Sequence, residues 1–178
     1  MAVTINATPG DAAANSYVTE VEQIAYMATR LNLGAWVTVS GATCTETEKQ
    51  GMVEATRELT AMGWQGVRVT EEQALSWPRD WVPNPDSPTW QYFDSTVVPK
   101  RVKDAACELA FQFVKAGTTD LAAADAEAGV IEKTIDVLTT RWDGYRRPTG
   151  LSRFPSVLRT IQVLLTGTAS HTIPLVRG

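Results

Sequence analysis

Apolar positions recur at helical spacing in four stretches of the chain and lose that spacing between them. Val21, Ile24, Ala25 and Ala28, with Met27 beside them, fall on one face of a helix that begins at Thr19 and ends by 31–34. Met52, Val53, Thr56 and Leu59 form the inner face of a second helix, with Gly63 as its stop. Val102, Ala105, Ala106, Leu109, Ala110, Phe113 and Val114 give a third a wide stripe between Pro99 and Gly117. Cys107 and Phe111 lie off its centre, so that helix is expected to be covered on more than one side. Pro155 opens a fourth, where Phe154, Val157, Leu158, Ile161, Leu164 and Leu165 share a face and Gly167 ends the run.

Polar residues at the helix starts support these boundaries. Thr19 with Glu22, Thr45 with Glu48, and Thr70 with Gln73 all have capping-box spacing, in which each partner satisfies an orphan amide. The third box predicts a short helix stopped by Pro78. Gly51 costs its helix about 1 kcal/mol relative to alanine, or else marks close helix packing.

The intervening segments read differently. Residues 1–18 form an extended arm, with Val3 and Ile5 alternating against polar neighbours before a turn at Pro9-Gly10. Residues 34–44 form a loop, and 118–129 a small-residue stretch suited to a mobile loop. In 130–142, Ile131, Ile135 and Val137 alternate as in a strand, while Val130, Ile131, Thr134, Ile135 and Leu138 also fit a helix face. Its β-branched content favours a hairpin. The organisation is an arm (1–18), a helical core (19–117) with a Trp/Pro-rich loop (77–94), an insert with a hairpin (118–145), and a basic arm (146–178) carrying helix 154–165. The fold class is mainly α: a small helical bundle with a hairpin and a C-terminal docking helix.

The loop 77–94 holds Trp77, Trp81 and Trp90 together with Pro78, Pro83, Pro85 and Pro88. Prolines exclude a long helix, and aromatics are costly to leave in water, so the loop packs on the body or waits for a partner. Trp77 and Trp81 are expected to pin it to the helices at 46–62 and 99–116. Trp90, Tyr92 and Phe93 are the candidates for contact between subunits.

Composition adds one asymmetry. The 178 residues carry a net charge of −4, but 1–140 sum to −9 and 141–178 to +5. Arg141, Arg146, Arg147, Arg153, Arg159 and Arg177 make the tail basic. Such a run is what simple solvation of a short segment gives, and also what docking onto carboxylates or phosphates needs. Nothing resembles a signal peptide or a membrane span, which points to the cytosol and to reduced Cys44 and Cys107. His171 is the single histidine, so zinc sites, Ser-His-Asp triads and Cys-His dyads have no basis. No catalytic, cofactor or metal site is expected. Trp77-Pro78-Arg79, or Trp142 through Arg147, could stack bases, yet the acidic body lacks the basic footprint of a nucleic-acid binder.

The ordered set 15-NSYVTEVEQIAYMATR-30, 48-EKQGMVEATREL-59, 73-QALSWPR-79, 98-VPKRVKDAACELA-110 and 153-RFPSVLRTIQVLL-165 resembles the head–tail connector (adaptor) proteins of tailed bacteriophages. Some members of that family carry a DnaT-like single-stranded-DNA-binding label. The resemblance covers 15–117 well and 130–178 loosely; the insert at 118–129, the Pro-rich 82–90 loop and the extension past Gly167 depart from it. It implies a non-enzymatic bundle that forms a ring, commonly of twelve copies, beneath the portal protein at the capsid vertex. The ring would extend the DNA channel and receive a tail, stopper or nozzle protein below. An acidic wall would then keep DNA sliding. On this reading portal docking falls to Arg146, Arg147, Arg153, Phe154, Val157, Leu158, Ile161, Leu164, Leu165, Ile173, Leu175 and Arg177. The alternative is a single-stranded-DNA-binding module.

Overall fold

In the computed structural model the chain is described at residues 2–89, 91–117, 132–135, 138–141, 151 and 154–166. Helix α1 spans Glu20–Ala28, α2 Glu46–Thr60, α3 Lys100–Ala116 and α4 Pro155–Ile161, the last followed by a 3₁₀ turn, Gln162–Leu164. Strands β1 (Val67–Arg68) and β2 (Arg79–Asp80) pair antiparallel, as do β3 (Glu132–Ile135) and β4 (Leu138–Arg141). The protein is mainly α with a small hairpin, formed where expected by 132–135 and 138–141, with Ile135 opposite Leu138.

Helix α3 is the hub, packed by α2, α4 and α1. Its buried residues run from Val102 through Val114 and include Cys107 and Phe111, so it is covered on more than one side, as its wide stripe predicts. Gly117 closes it in the left-handed conformation. Gly51 is where α2 comes closest to α3. A Cβ there would lie 2.7 Å from Val114 Cγ2 and 3.2 Å from the Ala110 carbonyl, so the missing side chain permits the approach.

Both predicted capping boxes on α1 and α2 form with both halves present. Glu48 does more than cap. Its buried carboxylate accepts from the amides of Val37 (2.8 Å), Thr38 (2.9 Å) and Thr45 (2.8 Å) and from the Thr38 hydroxyl (2.6 Å). Burial pushes this carboxyl up, and the hydrogen bonds led by Thr38 more than offset it, holding it below the ordinary value. One side chain thus fixes the 34–44 loop, which also buries Trp36 with its indole N–H on the Thr38 carbonyl at 2.8 Å.

Several expectations need correcting. The inner face of α1 is Gln23, Ile24 and Met27; Val21, Ala25 and Ala28 face outward, because α3 covers a narrower arc of this helix than the periodicity offers. Helix α2 is capped at Ala61, ahead of Gly63. No helix follows Thr70. Gln73 does reach back to the Thr70 amide (3.1 Å), but it also binds the Val69 amide (3.1 Å) and donates to the carbonyls of Leu75 (2.8 Å) and Pro78 (3.1 Å). Those bonds hold an irregular turn. The fourth helix stops at Ile161 instead of 165, since the chain tightens into the 3₁₀ turn and Leu165 turns extended, letting Leu164–Thr166 bond to Gly63–Gln65. The arm lies on the body: the Val3 amide donates to Glu46 (2.5 Å), and Tyr17 and Val18 are buried.

Candidate interaction surface

The segment from Val67 to Phe93 builds a small platform with an inner and an outer side. Trp77 is 1% exposed and meets Trp64 and Phe93 edge-on at 5.6 and 6.4 Å. The Trp77–Pro78 peptide is cis. Arg79 places its guanidinium on main-chain carbonyls, with Nε to Gln65 at 2.7 Å, one terminal nitrogen to Gly66 at 2.7 Å and the other to Ser76 at 3.2 Å. Four bonds to carbonyls, counting one to Trp64, make this a structural arginine, and burial draws its pKa down. Gly66 allows the arrangement: with φ +71° and the Asp80 carbonyl 2.1 Å from where a Cβ would stand, no other residue fits.

Beyond Asp80 the chain alternates in and out. Pro83 bridges Tyr92, Phe93 N donates to the Val82 carbonyl (3.0 Å) and Asn84 N to that of Gln91 (2.8 Å). This antiparallel register puts Val82 and Phe93 on the core side and Trp81, Pro83 and Tyr92 on the solvent side. Val82 is fully buried and Phe93 half-buried against Trp77. Trp81 is 68% and Tyr92 55% exposed, and their rings meet edge-on at 5.5 Å. Val67 and Val69, on and just after the neighbouring strand β1, are exposed too. The far end of the loop is fastened by Arg101 at the start of α3, which holds Asp86 through two bonds of 2.9 and 2.6 Å. This pairing draws the Asp86 carboxyl below its ordinary value.

Trp81 carries a second anomaly. Its φ is +61°, alone among the described non-glycine residues. A bulky side chain in that region costs roughly 1–2 kcal/mol. The fold therefore holds an exposed tryptophan in a strained backbone and secures it with β2 on one side and the buried Val82 on the other. Strain of this kind is concentrated at contact and catalytic sites.

The predicted site residues separate accordingly. Trp77 is buried in the core against Trp64 and Phe93; Trp81 is not, because the alternation beyond β2 turns it outward. Of the subunit-contact candidates, Tyr92 is exposed, Phe93 lies at the core edge, and Trp90 lies outside the described residues. Of the docking candidates, Val157, Ile161, Leu164 and Leu165 are buried, and Phe154 and Leu158 pack against the same core, Phe154 edge-on to Phe113 at 6.0 Å. That apolar face covers α3 of its own chain and so is not free for a partner. Arg146, Arg147, Arg153, Ile173, Leu175 and Arg177 lie outside the described residues, as do Trp142 and the loop 118–129.

Most cations of the body face a carboxylate or a carbonyl; Arg68 on β1 and Lys115 near the end of α3 are exposed and are not among them. Between residues 2 and 117, Arg30, Lys49, Arg57, Lys100, Arg101 and Lys103 each face a carboxylate: Glu108, Glu20, Glu54, Asp104, Asp86 and Glu22. Arg30 also stacks on Phe111 at 4.1 Å, and Tyr26 donates to Glu108, its phenol pushed up to about 12 by burial and by that carboxylate. These contacts join α1 to α3. Cys44 and Cys107 are free buried thiols; burial, then Glu48 and Glu20, push Cys44 up to about 12. Among the described residues no group of acids, histidines and cysteines could hold a metal ion, and no helix is long and apolar enough to cross a membrane.

The family model described as "Putative DnaT-like ssDNA binding protein" matches residues 1–178. The chain belongs to this family. No curated protein and no solved structure matches it. Within the family's span, the candidate base-stacking pair Trp77 and Arg79 is internal, and the exposed aromatic pair is Trp81 with Tyr92. The sequence analysis named Tyr92 as a contact candidate but assigned Trp81 to the core; 80-DWVP-83 and 91-QYFD-94 carry no polar-apolar alternation that says which ring faces out.

Proposed function

We propose that the chain is a structural head-to-tail adaptor of a tailed bacteriophage, acting through protein contacts and without catalysis. Copies form a ring under the portal protein, DNA passes through the ring without specific binding, and the far side receives a tail or stopper protein. The protein then resides at the virion neck, and in the host cytoplasm during assembly. The observation that carries the reading is the combination of mostly neutralised cations with an exposed aromatic pair held by the fold. A body in which every described arginine and lysine between residues 2 and 117 except Arg68 and Lys115 faces carboxylates or carbonyls offers little positive surface for a phosphate backbone. An exposed Trp–Tyr pair held by the fold has the character of a protein-contact anchor. The ordered motifs that resemble portal adaptors support the same reading, and Arg146 and Arg147 supply the docking charge.

The second reading is single-stranded-DNA binding. The family's description favours it, and Trp81 and Tyr92 offer faces on which bases could stack. Co-sedimentation with portal rings from the same genome, beside titration with single-stranded DNA at several salt concentrations, separates the two. The adaptor reading expects the protein to travel with portal rings and to lose that association on combined Arg146→Glu and Arg147→Glu substitution. Salt-sensitive DNA binding abolished by Trp81→Ala, with no portal association, would establish the second reading instead.

A further inference from the structure

The segment that presents Trp81 and Tyr92 is acidic, and most of its acids are unpaired. Residues 67–94 carry five carboxylates and two arginines, a net charge of −3. Of the two arginines, Arg79 is committed to main-chain carbonyls. The β1–β2 register sets Arg68 opposite it, on the ribbon face that Val67 and Asp80 do not share. Of the five acids, Asp86 meets Arg101. Among the described residues no lysine or arginine pairs with Glu71, Glu72, Asp80 or Asp94. The helices differ: there Glu20, Glu22, Glu54, Asp104 and Glu108 each hold a cation.

Two of these unpaired carboxylates adjoin the aromatic pair. Asp80 directly precedes Trp81 and lies across the ribbon from the exposed Val67, where directly paired side chains share a face about 5 Å apart. Asp94 is exposed two residues past Tyr92. The Thr96 amide and hydroxyl bind it at 2.8 and 2.7 Å and draw its carboxyl below the ordinary value, so it is ionised at neutral pH. The face of an aromatic ring is itself negative, which adds to the field of the carboxylates. A phosphate backbone meets repulsion here. A purely apolar segment would cover the rings and desolvate the carboxylates without pairing them. A guanidinium suits both halves: its plane stacks on an aromatic face while its fork of donors takes a carboxylate.

We propose that the Trp81–Tyr92 surface receives an arginine-bearing segment of another protein, with the guanidinium on the Trp81 ring and Asp80 or Asp94 as its counter-ion. This deepens the protein-contact reading of the same surface and rests on it. At this contact the chain supplies the negative charge and its partner the positive. The sign is opposite to that of docking by Arg146 and Arg147, so the two contacts select different partner surfaces.

The test follows the Trp81 indole N–H of the full chain by nuclear magnetic resonance, the signal being assigned by its loss in Trp81→Phe. The probes are the peptide acetyl-Gly-Leu-Arg-Gly-Leu-Arg-Gly-amide, its lysine and glutamate counterparts, and a short oligothymidylate. The arginine peptide is expected to shift the signal saturably and to bind about threefold or more tighter than the lysine peptide. The glutamate peptide and the oligonucleotide should leave it unmoved. Asp80→Asn combined with Asp94→Asn should weaken the arginine peptide by about threefold or more, since two counter-ions are lost while asparagine keeps an acceptor for Thr96. Equal binding of the lysine peptide, or arginine binding that the two asparagines leave unchanged, would overturn the proposal. So would a shift with the oligonucleotide alone, or with no probe at all. A shift with protein concentration by itself would give the surface to a second copy and overturn it too. Co-sedimentation with portal rings separates this proposal from the adaptor reading. Portal association without arginine binding removes the proposal alone; arginine binding without portal association removes the adaptor reading and leaves the contact.

Discussion

Trp77 and Trp81 stand four residues apart in one proline-rich segment and meet opposite fates. Trp77 is enclosed by Trp64 and Phe93, while Trp81 stands in solvent against Tyr92. Arg79, between them, and Gly66, across from Asp80, fix the turn: the guanidinium makes four bonds to main-chain carbonyls and the missing Cβ admits the Asp80 carbonyl. The inner half of the segment is an anchor, and the outer half is what the anchor presents. The lesson is that aromatic content alone does not separate core from contact surface. The local register of in and out does, and here it is set by two residues, Val82 and Phe93, that the core accepts.

The comparison can be broken hardest at Trp77. Trp77→Ala is expected to cost about 3–5 kcal/mol in urea unfolding, the range for emptying a buried aromatic site. A loss below 1 kcal/mol would mean that the anchor is elsewhere. Gly66→Ala should come next, at about 2–4 kcal/mol, because a Cβ overlapping the Asp80 carbonyl must separate β1 from β2. It should disturb the Trp81–Tyr92 pair as well, visible as changed near-ultraviolet circular dichroism.

Glu48 is the counterpart anchor for the 34–44 loop. Glu48→Gln is expected to cost about 2 kcal/mol at neutral pH, since it removes the charge that four donors face. The acid dependence has a definite sign. A carboxyl whose folded pKa lies below its ordinary 4.5 contributes fully above that pH, and the contribution fades as pH falls through the folded value. Wild-type stability should therefore fall on acidification below about 4.5 more steeply than that of Glu48→Gln. Equal slopes would exclude Glu48 as the source.

The smallest effect on stability is expected at the outer half. Trp81→Asn should change the unfolding free energy by less than about 0.5 kcal/mol or stabilise, because asparagine tolerates the left-handed backbone that tryptophan strains. Its consequence should appear in partner association instead. A large loss of stability would show Trp81 to be a core residue, and the contrast with Trp77 would collapse.

Much of the architecture was legible in the chain because it depends on short-range rules. Thr19, Glu22, Thr45 and Glu48 satisfy amides three residues away, so their spacing located two helix starts. The stripe from Val102 to Val114 recorded a helix covered on several sides, since each turn repeats the same burial. The alternation at 132–141 favoured a hairpin for the same local reason. Where a pattern has to be completed by a distant partner, spacing misled. Thr70 and Gln73 have the capping signature, but the second pair of bonds made by Gln73, to Leu75 and Pro78, commits it to a turn.

The assignment of surfaces was decided only by tertiary structure. The apolar face of α4 reads identically whether it awaits a portal or covers α3, and the packing gives it to α3. Trp81 reads as cargo for the core, yet register with residues 91–93 turns it out and the constraints at Gly66 and Val82 hold it there. Periodicity states which residues share a face. Which of those faces meet depends on contacts between residues tens of positions apart, whose free energy no local window contains.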